Sequence, residues 1–548
     1  MITKIYNKNV VKKMKTGVFS FLFPLFSFLF MTSCSDWDDH YENLASQAGN
    51  DLTLWQTIQQ HPELSDFRDV LSQTKVFKYH KMTDVSYAVL LDGAQTFTVL
   101  APVNGSFNKD SVLNLLTTNR GDSMVVRSFV GNHLSYNQVA NVEKPTDFFL
   151  LNKKQATIGN NQVLGVPLQA SNIRANGGIL HILQNTLPYR NNIYEVLLND
   201  PRYSDIGKEI SSYDRDEFNP TQSVEGGMVD GEQIYVDSVF NERNKILESV
   251  GLINDEDSTY LMVVPTNQEW QRVWNEAMEH FRFDTTVEGR DSLQRYYANF
   301  SLLKDAIFSR TIQDSPEDSL VSYYYNKFYP QYGVFHKPFE KGGILYGTTP
   351  TTYSNGTLYT ADRWPFTPEM TYNREIKSEG ERTNLMVDYQ QCSYTTRTHA
   401  ADSVSDNEYL VITPRTATSN WTMTFKLENT LAADYDICAV ILPASVYNPN
   451  AQLKPCKFQA EITYVDENGK SPTYNCNSEK FTNNAAKVDT VVLAENFHFP
   501  VCNYGQTNMK FMVKLKCSIL ARETSQFSRE MFLDCIYLRP RKNMNTEQ

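Results

Sequence analysis

The sequence is poor in positive charge and in histidine. Its 548 residues carry 51 Lys and Arg against 63 Asp and Glu, a formal net charge of −12, with nine His. That balance excludes a broad electrostatic grip on nucleic acid. An anionic bilayer surface would also repel the chain, so membrane attachment requires a specific anchor. Cysteine is missing from the first 391 residues except at Cys34, and the other seven are Cys392, Cys438, Cys456, Cys476, Cys502, Cys517 and Cys535. Seven is odd, which leaves at least one thiol unpaired or paired between chains. Cys438, Cys517 and Cys535 sit in strand-like apolar runs, where cysteine acts as a small buried hydrophobe. Free buried thiols and one or two disulfides both remain open. There is no CxxC or Cys/His spacing of a zinc site, no Walker loop, no Rossmann glycine fingerprint and no HExxH. No metal and no cofactor is therefore expected.

What is present begins with the anchor. Lys4, Lys8, Lys12, Lys13 and Lys15 precede the apolar run Gly17–Met31. Those fifteen residues rise only about 22 Å as a helix, short of a ~30 Å hydrocarbon core. A basic head before a short apolar segment reads as a secretory signal peptide over residues 1–33. Thr32-Ser33-Cys34 follows and resembles a lipobox, with Met31 where Leu is usual, which implies lipidation at Cys34. The next residues, Ser35, Asp36, Trp37, Asp38 and Asp39, resemble the surface-export signal of Bacteroidetes-type lipoproteins. Residues 34–49 are then a tether. Removing 1–33 removes five lysines and no acid, taking the net charge from −12 to −17.

Beyond the tether the patterning predicts three bodies, at 50–192, 193–382 and 383–548. In the first, residues 51–74 read as two short amphipathic helices broken at Pro62. Phe97–Ala101 reads as a buried strand stopped by Pro102, and Ile179–Leu187 as another closed by Pro188. The second body repeats this grammar. Its helical 191–210 is again broken by a proline, STYLMVVPTNQEW (258–270) repeats the order strand, Pro, Thr, Asn, helix, and a later segment is SNGTLYTADRWPF (354–366). The third body has no helical period. Apolar β-branched runs at 409–412, 421–427, 435–442, 458–465, 490–493, 510–515 and 531–538 are separated by turns, including Asp466-Glu467-Asn468-Gly469. That spacing predicts an antiparallel sandwich.

The segments FTVLAPVNGSF (97–107), GNHLSY (131–136) and NGGILHILQNTLPY (176–189) resemble the boxes of fasciclin domains, in order and spacing. The second body is similar but divergent, with Ser309-Arg310-Thr311 in place of the His segment and an insertion before its last box. The third body looks like a jelly roll of the carbohydrate-binding kind. The implied class is α+β: two tandem fasciclin-like domains of β-wedge and helical layer, then an all-β sandwich.

Chemistry is sparse. Gly121-Asp122-Ser123-Met124 shares the opening of a serine-hydrolase block, yet it lies inside the first body, and the nearest late partner pair is Glu495 and His498. It is read as a helix-entry loop. His133 and His181 are read as structural. Asn254-Asp255-Glu256-Asp257-Ser258 has calcium-type oxygen ligands but reads as a solvated loop. The most distinctive stretch is 323–339, with eight aromatics in seventeen residues. Tyr323, Tyr324, Tyr325, Tyr329 and Tyr332, with Trp364, are candidates for a protein interface or a glycan-stacking face, or for core packing. Asp-Ser and Asp-Thr triplets at Asp110, Asp122, Asp237, Asp284, Asp291, Asp318, Asp402 and Asp489 resemble O-glycosylation acceptors of exported Bacteroidetes proteins.

These resemblances imply a non-enzymatic lipoprotein of the outer membrane, held by acyl chains and facing the exterior. They imply an accessory of a starch-utilisation-type importer, with a TonB-dependent barrel and a substrate-binding lid lipoprotein as partners and a glycan as a possible ligand. The alternative is a fasciclin-type adhesin binding host matrix or neighbouring cells.

Overall fold

The structure is a computed structural model, and it describes residues 52–78, 81–118, 121–229, 232–237, 239–309, 319–326, 331–399, 401–476, 480–506 and 510–541. Cys34, Ser35, Asp36, Asp38, Asp39 and Tyr329 lie outside the described residues. Helix and strand are mixed, with several separate sheets. The chain divides into two compact units, one ending at Pro188 and one formed by Tyr189–Gln548.

The first unit opens with helices Leu54–Gln59 and Ser65–Gln73 on either side of the proline turn at Pro62. Thr53 caps the first helix in a capping box with Gln56, which satisfies two otherwise orphaned N–H groups. Strand Phe97–Pro102 is buried along its whole length. It pairs in parallel with Gly178–Leu183 and antiparallel with Leu134–Ser135. The parallel pairing needs glycine at its mouth. A Cβ on Gly178, whose φ is +140°, would lie 1.8 Å from the Phe97 carbonyl oxygen, a contact only a residue without a side chain escapes.

The second unit repeats the plan. Helices Ile193–Asn199 and Ser204–Ser211 flank Pro201, and the first is capped by Asn192 and Glu195. The fully buried strand Tyr260–Pro265 pairs in parallel with Gly356–Ala361 and antiparallel with Ile307–Ser309. Gly356 (φ +154°) stands where Gly178 does, its Cβ position 2.0 Å from the Tyr260 carbonyl oxygen.

One side-chain network recurs with the same partners. The Asn104 amide donates to Pro62 O (3.1 Å) and Ser65 Oγ (2.9 Å), and its Oδ1 accepts from the Asp66 N–H (2.9 Å). Asn267 does the same for Pro201 O (2.8 Å), Ser204 Oγ (3.0 Å) and the Asp205 N–H (3.1 Å). Each asparagine follows the buried central strand and clamps the turn between the two entry helices.

Two hairpins of the second unit were not foreseen, whereas the insertion before its last box was. Hairpins Asp214–Phe218/Phe240–Asn244 and Val224–Val229/Glu232–Asp237 intervene before the central strand. Asp214–Phe218 is exposed at every residue, so no apolar alternation marks it as a strand. The insertion before the last box forms the hairpin Ser319–Asn326/Gln331–His336, which extends the sheet beyond Ile307–Ser309.

From Ile376 onward the chain forms two six-stranded antiparallel sheets. One contains Ile376–Glu379, Cys392–Thr398, Glu408–Pro414, Asp434–Ile441, Asp489–His498 and Met531–Pro540; the other contains Met386–Gln390, Thr422–Lys426, Lys457–Thr463, Thr473–Asn475, Phe481–Thr482 and Met512–Cys517. Inward rows such as Leu410, Ile412, Ile437 and Leu533 meet Met423, Phe425, Phe458 and Leu515. All seven apolar runs read from the sequence are strands here. Ile376–Glu379 lies before the expected 382/383 boundary. The same continuous core holds Trp270, Phe281 and Leu302 of the helical layer, so the helix-bearing body and the sandwich share one interior.

If the asparagine clamps fix the helix pairs, Asn267→Ala and Asn104→Ala each lose three hydrogen bonds and destabilise by about 1–3 kcal/mol. Urea midpoints would register this, and an unchanged midpoint in both variants would refute the role.

Candidate functional site

Among the described side chains of the aromatic stretch, Tyr323, Tyr324 and Phe335 turn inward, while Tyr325 and Phe339 are exposed. Tyr323 packs 5.9 Å from Tyr260, and Tyr324 meets Phe300 edge-on at 5.1 Å. Trp364 is 8% exposed, its ring 5.0 Å from Phe366, and its backbone N–H donates to Glu269 Oε1 at 2.9 Å. Tyr325 turns outward at 40% exposure. Tyr332 lies opposite it in the ladder and is placed by its backbone alone. A β-bulge between Val321 and Tyr325 breaks simple alternation, and this lets two neighbouring tyrosines both reach the core.

The histidines of the first unit are pins. His133 is buried; its Nδ1 donates to Phe129 O at 2.7 Å and its Nε2 accepts the Leu187 N–H at 3.1 Å. Burial lowers its pKa to about 4, so the ring is neutral at physiological pH. His181 Nε2 donates to Val139 O at 2.8 Å, and burial lowers its pKa as well. The acidic loop 254–258 is tied into the fold. Glu256 Oε1 accepts from Asn192 and Ser354 at 3.1 Å each, and Asp255 O accepts from Asn355 at 2.9 Å. Asp122 and Ser123 lie in the short helix Gly121–Val125. His498 pairs with Asp434 at 2.8 Å, not with Glu495, which lies 3.7 Å from Arg541. Among the described residues no group of three or more His, Cys, Asp or Glu is arranged to hold a metal ion, and no helix is long and apolar enough to cross a membrane.

A cavity of about 300 Å³ opens where the helical layer meets the sandwich, lined by Arg282, Phe283, Thr285, Arg290, Asp291, Gln294, Glu467 and Val501. Several contacts build it. Helix Asn267–His280 ends beside the sandwich, with the Ala432 N–H donating to His280 O at 2.9 Å. The Cys502 N–H donates to Arg282 O at 2.7 Å, and Arg282 Nε donates to Pro500 O at 3.2 Å. The Thr285 N–H reaches Glu467 O at 3.0 Å. Glu467 is carried on the turn 466–469, where Asp466 Oδ1 accepts the N–H groups of Asn468 and Lys470 at 2.9 Å. Gln294 donates to Met278 O at 2.7 Å.

Two guanidinium groups, two carboxylates and an amide thus converge on one small space. Arg282 has Glu279 at 3.5 Å, and Arg290 has Asp291 at 3.2 Å. The guanidinium forks donate pairs of hydrogen bonds to adjacent hydroxyls or to a carboxylate, and the carboxylates accept them from hydroxyls. The sequence reading missed these residues because they come from two bodies far apart in the chain. The hairpin turn at 466–469 was legible, but nothing marked it as the wall of a cavity.

A second titratable cluster lies in the sandwich. The Ser405 N–H donates to Asp534 Oδ1 at 3.0 Å and its hydroxyl to Glu379 Oε1 at 2.8 Å. Lys377 Nζ donates to Ser405 Oγ at 3.0 Å. Burial pushes Asp534 up to about 6 and Glu381 up to about 7, and it raises Glu379 too. The Oε2 atoms of Glu379 and Glu381 are buried without a hydrogen-bond partner among the described residues. None of these carboxyls lines the cavity.

Comparison with known proteins returned no matching family model and no matching curated protein. Solved structures matched in part. One is a Clostridium thermocellum xylanase fragment with CBM22-1 and GH10 modules, at 9% identity, 31% of this chain, 29% of that chain and TM-score 0.21. Another is the CBM22-2 xylan-binding domain of a Paenibacillus barcinonensis xylanase, at 6% identity, 31% of this chain, 99% of that chain and TM-score 0.20. A third is a family 35 carbohydrate-binding module from Clostridium thermocellum, at 8%, 30%, 97% and 0.18. The chain spans less than a third of the multi-module proteins it matches. At these scores no family follows, and the functional reading rests on the chain's own residues.

The buried carboxyls give a pH prediction. Their folded pKa values stand above the ordinary 3.8 for Asp and 4.5 for Glu. The folded state therefore holds protons that the unfolded state has released. Their stabilising effect is complete below about pH 4 and is lost as pH rises through about 6 to 7. Relative to wild type, Glu381→Gln is expected to flatten the fall in Tm over that window. Parallel Tm–pH curves would count against it.

Proposed function

We propose that the protein is a non-catalytic, lipid-anchored surface lipoprotein that presents a binding body to a glycan beside an outer-membrane importer. Residues 50–192 and 193–382 are read as fasciclin-like domains, on the repeated parallel strand pair and the repeated asparagine clamp. Cys34 carries the diacylglycerol anchor, and Ser35, Asp36, Asp38 and Asp39 direct it outward. The observation that carries the binding role is the cavity of Arg282, Arg290, Asp291, Gln294 and Glu467 beside Phe283. Its mixed donors and acceptors suit a hydroxylated ligand better than an apolar one. A TonB-dependent barrel and its lid lipoprotein are the partners in this reading.

The adhesin reading ranks second. The segment 131–136, through which it would act, is largely inside: Asn132 and His133 are each 1% exposed, Leu134 and Ser135 are buried, and Tyr136 alone stands out at 57%.

Three measurements test the proposal. Cys34→Ser is expected to abolish incorporation of labelled fatty acid and to release the protein from the membrane fraction. Tagged wild type purified from detergent-solubilised native membrane should bring down a barrel and a lid in stoichiometric amounts; recovery alone, under conditions that keep known importers intact, would overturn the importer role. On an array of neutral and uronic oligosaccharides, Arg290→Ala and Glu467→Ala should each weaken binding about tenfold, equivalent to ~1.4 kcal/mol.

A further inference from the structure

Cys456 immediately precedes strand Lys457–Thr463, and Cys517 ends strand Met512–Cys517. The two strands are antiparallel neighbours, with Phe458 directly opposite Cys517. Cys456 lies two residues from Phe458 and so projects from the same face, one diagonal step from Cys517. Both side chains enter the sandwich core, at 2% and 5% exposure. The backbone holds them there. The Ser518 N–H donates to Lys457 O and the Cys517 N–H to Trp421 O, both at 2.9 Å, and the Cys456 N–H donates to Asn483 Oδ1 at 2.7 Å.

We propose that Cys456 and Cys517 form a disulfide that staples the two strands at this end of the sandwich once the chain folds in the presence of a small-molecule or protein disulfide oxidant. Cysteine pairing in general was open from the sequence; the strand register selects this pair.

The chemistry at the two sulfurs is asymmetric. Cys456 donates its thiol hydrogen to Cys517, which holds the Cys517 thiol below its ordinary pKa and raises that of Cys456. The Arg529 guanidinium adds to the first effect. It is 6% exposed and fixed by Ala417 O at 3.0 Å, Ile519 O at 2.7 Å and Asn420 Oδ1 at 3.3 Å. Cys517 is therefore the nucleophile. Its thiolate attacks one sulfur of the oxidant RSSR and expels RS⁻, giving a mixed disulfide. Cys456 then loses its proton and attacks Cys517 Sγ, expelling the second RS⁻. Two thiols give up two protons and two electrons, and RSSR becomes two RSH. Both thiols are buried, so exchange takes place as this strand end opens to admit the oxidant.

Cys517 Sγ also contacts Asn420 Oδ1 at 3.5 Å, whereas the other cysteines lie away from this pair. Cys535 contacts Asp534 Oδ2 at 3.6 Å, Cys438 hydrogen-bonds with Tyr537, and Cys392 reaches Thr422 O at 3.9 Å. Burial raises Cys476 and Cys502 to about 12, which keeps them protonated and slow to react.

The test is peptide mapping of the full chain, refolded with oxidised and reduced glutathione, then alkylated in denaturant and digested without reductant. The expected result is one cross-linked peptide pair containing Cys456 and Cys517. Wild-type Tm should also rise by several degrees over the reduced protein, since the bond closes a loop of about sixty residues, and return on reduction. Recovery of both residues as alkylated thiols, or of either one bridged to a different cysteine, would overturn the proposal. The mapping needs no variant, so a misfolding Cys→Ser mutant cannot obscure it.

Discussion

The second unit depends on a ring contact. Tyr504, on a loop of the sandwich, lies 5.2 Å from Phe281 and 5.0 Å from Tyr297, both of the helical layer, in edge-to-face geometry. Each such pair contributes about 0.5–1.5 kcal/mol beyond the area it buries. The next residue shows how tight the seam is. A Cβ on Gly505 (φ +68°) would sit 2.0 Å from the Tyr297 hydroxyl. At this contact the helical layer and the sandwich share one core, and the loops beside it enclose a small polar cavity.

The internal repetition shows which parts of the plan are physically obligatory. The parallel strand pair, the glycine at its mouth and the asparagine that clamps the helix turn recur at Gly178 and Gly356 and at Asn104 and Asn267. Each solves a backbone problem: close approach of two chains, or a proline turn with polar groups left over. The elements that differ, such as the exposed hairpin Asp214–Phe218/Phe240–Asn244, attach outside that frame, where insertion carries little cost.

Function, on this reading, lies at a junction between architectures and not within either one. The histidine segment of the first unit and, in the second, Tyr323, Phe335 and Trp364 contribute to the interior. The groups left to meet a ligand are the charged and amide side chains at the seam. This division follows from burial: rings gain most by leaving water, whereas guanidinium and carboxylate groups stay where solvent or a ligand can satisfy them.

Sequence alone determined the entry helices, the buried strands that end in proline, the repeat and all seven apolar strands of the sandwich, because these are written in local period and in turn residues. The basic and apolar segment before Cys34 lies outside the described residues. The exposed strand Asp214–Phe218 left no trace, since its run of charged residues carries no apolar period. Only tertiary structure decided that Tyr323 and Tyr324 pack inward across a bulge and that Arg282 and Glu467 face one cavity. It also decided that Cys456 lies beside Cys517. Each of these is a contact between segments far apart in the chain, set by strand register and by the packing of one core, and neither quantity is encoded in any local stretch.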